Sequence, residues 1–103
     1  MPCFNVEEYI DASLNSILDQ TYRNLDILLI DDGSSDRTYE ILKSYEKKDS
    51  RVRVFLNKEN LGLIRTLNFG IENSKGEYIA RMDADDISEL NRIEVLYDEI
   101  RNE

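Results

Sequence analysis

The sequence predicts an α/β fold in three layers, a mostly parallel sheet with helices on both faces. Two observations predict it. Short apolar runs suited to buried strands alternate with stretches whose apolar residues recur at helical spacing. Two acidic clusters, Asp31-Asp32 and Asp83-Ala84-Asp85-Asp86, each directly follow an expected strand. The crevice beyond the carboxyl ends of parallel strands is where such sheets bind ligands.

Taken in order, Glu7 to Leu18 places Ile10, Leu14, Ile17 and Leu18 on one helical face. Residues 26–30 (Asp-Ile-Leu-Leu-Ile) read as a short buried strand. Asp31-Asp32-Gly33-Ser34-Ser35-Asp36 ends it with turn and capping chemistry. A helix is expected from Arg37 to Lys47, burying Ile41, Leu42 and Tyr45, then a strand from Val52 to Leu56. Leu63 to Asn73 reads as a further helix, although Gly70 costs about 1 kcal/mol in a helix interior. Ser74-Lys75-Gly76 turns the chain into an expected third strand, Glu77 to Met82. An amphipathic helix, Leu90 to Arg101, closes the chain with Ile93, Leu96, Tyr97 and Ile100 on its apolar face.

The 103 residues suit one domain, and 41% apolar against 34% charged residues is an ordinary globular balance. Thirteen basic and twenty-two acidic residues give a net charge of −9. That argues against nucleic acid as a partner, because its binding rests on Lys and Arg neutralising phosphates. A phosphorylated ligand stays open, since a divalent cation reverses the local field. The absence of histidine removes His-based triads and His metal sites. The single cysteine, Cys3, allows no internal disulfide and reads as a small buried residue. With no leader segment, a reducing cytoplasmic setting is expected, at the inner face of a membrane for a full-length protein. The longest aliphatic run, Ile27 to Ile30, is far too short to span a bilayer.

The two acidic clusters lie about fifty residues apart, yet both are expected at the carboxyl edge of one sheet. Carboxylates gathered in a crevice repel one another unless they protonate, meet donors or bind a cation. Oxygen-only ligands favour Mg²⁺, Mn²⁺ or Ca²⁺ over zinc. Plainer roles stand beside this one. Asp31 and Asp32 also suit a turn, Asp36 reads as a helix cap, and Asp86 caps the next segment or stays solvated. An EF-hand reading fails: Glu94 falls at the twelfth position from Asp83, but Ser88 occupies the glycine position and Ile87 a side-chain ligand position.

Five segments in order resemble family 2 glycosyltransferases of the GT-A fold. Met1-Pro2-Cys3-Phe4-Asn5 resembles the Pro-x-aromatic-Asn motif that follows the family's first strand. Ser16-Ile17-Leu18-Asp19-Gln20-Thr21-Tyr22 resembles its Ser-x-Leu-x-Gln-Thr-Tyr region. Ile30-Asp31-Asp32-Gly33-Ser34-Ser35-Asp36 is similar to Val-Asp-Asp-Gly-Ser-x-Asp. Asn60-x-Gly62 and Asn68-x-Gly70 also fit, as does Gly76-Glu77-Tyr78-Ile79 leading into Asp83-Ala84-Asp85-Asp86. The resemblance covers nearly the whole chain.

It implies a partial GT-A, Rossmann-like fold forming the nucleotide-sugar-binding half, cut short at both ends. A first strand would precede Met1-Pro2 and run between the strands ending at Ile30 and Met82. With little of that strand present, the chain is expected to close the gap with a rearranged sheet or, ahead of that, to associate with a second copy through exposed sheet edges. The resemblance further implies that Pro2 belongs to the donor site and that Phe4 packs on a nucleobase, uracil first among them. Asp32 would accept a hydrogen bond from the base, and Asp31 would support the ribose side or the loop. Asp83 would lie near the ribose, and Arg65 near the phosphates. Asp85 would hold a divalent cation, Mn²⁺ or Mg²⁺, bridging the diphosphate of a nucleoside-diphosphate sugar. The acceptor, an unidentified sugar, lipid or protein, would be activated by a base beyond Glu103, with inversion at the anomeric carbon. Polysaccharide or glycoconjugate assembly is the family's usual setting.

Three other readings compete. A haloacid-dehalogenase-like phosphohydrolase would place its Asp-x-Asp nucleophile at the first strand, and Ile87 and Ser88 fit its pattern poorly. A receiver-type domain would need a later lysine that has no placement here. A binding module without turnover would keep the donor motifs and lack the acceptor half.

Overall fold

The structure, a computed structural model, describes residues 1–101. Its elements are β1 (Pro2–Cys3), α1 (Ile10–Leu18), β2 (Ile27–Asp32), α2 (Thr38–Lys48), β3 (Val52–Asn57), α3 (Leu63–Asn73) and α4 (Arg92–Arg101). The three strands form one parallel sheet in the order β1-β2-β3.

β2 lies in the middle because its side chains are apolar toward both faces. Ile27 and Leu29 point to one side, in register with Val52 and Val54 of β3. They join Ile10, Leu14 and Ile17 of α1 and Leu42 of α2 in the main core. Ile30 points the other way, in register with Phe55, whose ring meets Phe69 of α3 edge-on at 5.2 Å between centroids. Helices therefore cover both faces, and the three-layer expectation holds. Gly70 permits this close packing: a Cβ there would stand 3.1 Å from Ile30 Cδ1. Its propensity cost is offset by the contact it allows. Arg53 ties the back of the sheet together, donating to both Asp26 carboxylate oxygens at 2.9 and 2.7 Å and to the Asn73 carbonyl at 2.8 Å.

The structure corrects the sequence reading at four places. Helix α1 starts at Ile10, with residues 7–9 in a turn in which Tyr9 N donates to the Val6 carbonyl. β2 extends through Asp32, so Asp31 and Asp32 are its last two residues rather than the turn after it. α4 begins at Arg92, not Leu90; the Leu90 carbonyl accepts from Thr21 N at 2.8 Å, which withdraws it from a helical ladder.

The largest correction is Glu77 to Met82, which forms no strand. A strand on that edge would meet only Pro2 and Cys3, and proline contributes no N–H. Residues 77–81 stay exposed, and the segment is anchored instead by Met82 and Ala84, both buried in the main core.

Candidate functional site

The site begins where β1 and β2 end. After β2 the chain reverses at Gly33, held at φ +75°, a conformation that L side chains rarely adopt. Asp31 braces this turn: its carboxylate accepts from the Ser34 hydroxyl and from Ser34 N. Asn5, itself at φ +50°, locks the two motifs together. Asn5 N donates to Ser34 Oγ at 2.9 Å, and Ser35 N donates to Asn5 Oδ1 at 2.9 Å. The N-cap of α2 is Arg37 rather than Asp36; Asp36 stands one residue earlier and accepts from Thr38 N at 2.9 Å as the helix starts.

Asp32 points to the opposite face and organises the loop between β3 and α3. Its Oδ1 accepts from Leu61 N at 2.8 Å and from Asn57 Nδ2 at 3.0 Å, and its Oδ2 accepts from Gly62 N at 3.0 Å. The Leu61 and Gly62 groups lie at the opening of α3, where backbone N–H groups lack helical partners and favour negative charge. Burial alone would push the Asp32 carboxyl up. These donors, with the nearby Thr66 hydroxyl, outweigh it and hold the group below its ordinary value. Asp32 is ionised at neutral pH although only 5% exposed.

This arrangement borders an open cavity of 250 Å³ lined by Pro2, Phe4, Asp32, Asn60, Gly62 and Leu63. The Phe4 ring is 47% exposed, which leaves an aromatic face free beside a buried carboxylate. Cys3 also borders the cavity, but burial pushes its thiol up to about 12, so it is an inert neighbour.

The second acidic cluster is positioned by α1 through polar contacts. Gln20, fully buried, donates through Nε2 to the Ser16 carbonyl at 3.0 Å and the Glu89 carbonyl at 2.6 Å. Its Oε1 accepts from Ile93 N at 2.9 Å. Ser88 N donates to Ser16 Oγ at 3.0 Å, and Ser13 Oγ donates to the Asp83 carbonyl at 3.4 Å. The Ser-x-Leu-x-Gln-Thr-Tyr segment thus clamps residues 88–93, and Ser13 on the same helix holds Asp83. In the segment so anchored the carboxylates of Asp83, Asp85 and Asp86 gather, with one oxygen of each inside 4.8 Å of the others. All three are exposed, and Arg81 pairs with Asp83 at 3.3 Å. Asp83 and Asp86 also border an open depression of 430 Å³ with Arg81, Ser88, Glu89 and Arg92.

Of the residues singled out from the sequence, Pro2, Phe4 and Asp32 share one cavity, and Asp83 and Asp85 share a carboxylate cluster. The structure lines two depressions with them rather than one. Arg65 is exposed on α3 and borders neither, and Asp31 is turned to the Ser34 side. Asp86, counted in the second acidic cluster from the sequence, gathers with Asp83 and Asp85 and stays exposed, as its solvated reading expected. Asn57 and Thr66 were not visible as site residues, because nothing local in the sequence pairs them with Asp32.

The sequence model of Glycosyl transferase family 2 matches residues 1–103. An uncharacterized glycosyltransferase of Haemophilus influenzae is 50% identical over 91 residues, 88% of this chain and 28% of that protein. Glycosyltransferase GlyG of Streptococcus pneumoniae is 41% identical over 101 residues, 98% of this chain and 34% of that protein. Among solved structures, S. aureus TarS 1–349 in complex with UDP-GlcNAc is similar, with a TM-score of 0.90 and 26% identity over 98% of this chain and 30% of that one. The chain therefore spans about a third or less of the proteins it matches.

Proposed function

The chain belongs to glycosyl transferase family 2, and on that premise we propose that it binds the donor, a uridine diphosphate sugar, for transfer to an acceptor hydroxyl. The observation that carries this reading is the cavity at the carboxyl ends of β1 and β2, where an exposed aromatic ring stands beside an ionised, buried carboxylate. Phe4 offers a face on which a base stacks. A carboxylate oxygen accepts two hydrogen bonds, and Asp32 Oδ2 takes one from Gly62, leaving a position for a ring N–H. Uracil carries that N–H between two carbonyls. The similarity to TarS, solved with UDP-GlcNAc, supports the choice of uridine.

The Asp83, Asp85 and Asp86 oxygens form an all-oxygen donor set of the kind that suits Mg²⁺ or Mn²⁺. Asp85, with Asp83 or Asp86, would hold the ion, and Arg81 would release Asp83 as it does so. A bound ion supplies Lewis-acid stabilisation for the diphosphate leaving group. The chain's own residues would hold the base, fix the α3 loop around it and anchor the acidic segment through Ser13 at Asp83 and Gln20 at Glu89 and Ile93. Arg65, exposed on α3, would meet the phosphates only if the ligand extends along that helix.

Transfer would invert the anomeric carbon, the acceptor hydroxyl attacking the face opposite the departing diphosphate. No residue described here is assigned as the base. The acceptor is a sugar, lipid or protein, and the working location is the cytoplasm, at the inner face of a membrane for a longer protein. Among the described residues no helix is long and apolar enough to cross a membrane. Two substitutions test the division of labour by calorimetry. Phe4→Ala should weaken uridine about tenfold, the scale of a lost aromatic stacking contact. Asp85→Ala should leave uridine unaffected and weaken uridine diphosphate only when metal is present. If neither change lowers affinity, neither cavity nor cluster is the donor site.

A further inference from the structure

Asp32 does not stand alone in its cavity. The Asn57 amide, at the end of β3, donates to Asp32 Oδ1 at 3.0 Å and contacts Thr66 Oγ1 at 3.3 Å. Thr66 is fully buried on the first turns of α3, so this three-residue bridge spans β2, β3 and α3. Together with Leu61 N it fills both acceptor positions of Oδ1, and Gly62 N takes one of the two on Oδ2.

We propose that Asn57 is a specificity-positioning residue of the base cavity: by holding Asp32 through Oδ1, it leaves a single acceptor position on Oδ2 that selects a base bearing a ring N–H. The inference rests on the donor-site reading given above. Uracil satisfies the position with its N3–H. Cytosine presents an unprotonated ring nitrogen there, so two lone pairs would face each other beside a buried carboxylate, which is costly because the ring nitrogen and the second acceptor position of Oδ2 are both left without a donor. Without Asn57 the carboxylate loses a donor and gains an unfilled position on Oδ1. It is then held only by Leu61 N and Gly62 N, and a tilt about that pair lets it accept the exocyclic amine that cytosine offers next to that nitrogen. Asn57 itself does not line the cavity and acts only through Asp32.

The test is titration of the chain with uridine diphosphate and cytidine diphosphate, in Mn²⁺, for the unaltered sequence, Asn57→Leu and Asn57→Gln. The unaltered chain should prefer the uridine ligand by about tenfold or more, one hydrogen bond's worth of discrimination. Asn57→Leu, matched in shape but without a donor, should bring the two affinities within about threefold. Asn57→Gln, which keeps the amide, should restore much of the preference. Inorganic diphosphate with Mn²⁺ should bind all three alike, which confirms that each is folded. A uridine preference that survives Asn57→Leu overturns the inference alone. Equal loss in the Leu and Gln variants overturns it too, since that is the mark of a purely structural amide. Should the Leu variant fail to bind inorganic diphosphate, the Gln variant decides: preference kept supports the role, preference lost refutes it. Equal binding of both nucleotides by the unaltered chain sinks the base-site reading itself, and the inference with it.

Discussion

Gly33 shows how a single backbone position ties the turn after β2 to the loop before α3. Its φ of +75° is unfavourable for any other residue, and an added Cβ would stand 2.8 Å from Asn60 N and from the Glu59 carbonyl carbon. Gly33→Ala must therefore either flatten the turn or push the Asn60 loop outward. We expect a loss of about 1–3 kcal/mol in stability, larger than an ordinary surface change, read as a lowered denaturant midpoint. An unchanged midpoint would mean that the loop yields freely. The glycine itself was readable, since Asp-Asp-Gly-Ser is turn chemistry. The roles of its neighbours were only half readable. Asp31 is bound to Ser34 as a turn residue, whereas Asp32 faces α3, because consecutive strand residues point to opposite faces. That split required knowing that β2 continues through both aspartates. Asn57 and Thr66 escaped entirely, because their partner lies on another strand.

Among elements, the α1 terminus and the segment before α4 depend on one another. Gln20 satisfies its amide with three backbone groups and is completely shielded from water. Gln20→Ala would leave Glu89 O and Ile93 N without their partner. The expected cost is about 2–3 kcal/mol. Hydrogen exchange should show it as loss of protection at Ile93, with protection in β2 retained. Equal loss in β2 would mean that the clamp serves the core and not the acidic segment. The sequence marked Ser16 to Tyr22 by resemblance alone. Its physical purpose became visible only once residues 83–93 were seen lying against it. Helical periodicity, by contrast, located α2 within one residue at each end and α3 exactly where it was expected, since an amphipathic pattern is a local property.

For the molecule as a whole, alternating strands and helices were enough to give the parallel sheet and its three layers. The sheet's width was not, because a strand exists only where a neighbour offers a ladder. Glu77 to Met82 has the composition of a strand and finds only two residues to pair with. Its Tyr78 and Ile79 are exposed, as are Ile87 and Leu90 farther along. We expect copies to associate through this edge, and sedimentation at micromolar concentration should show species heavier than a monomer; a compact monomer would show that the open edge is well tolerated. The central proposal is that one ligand spans the Phe4–Asp32 cavity and the carboxylate cluster in a chain of net charge −9. Its most direct test is calorimetric titration with uridine diphosphate, first in Mn²⁺ and then with excess EDTA. Binding in Mn²⁺ that disappears with EDTA is the result expected, because carboxylates otherwise repel the diphosphate. Equal affinity in both conditions would contradict the account.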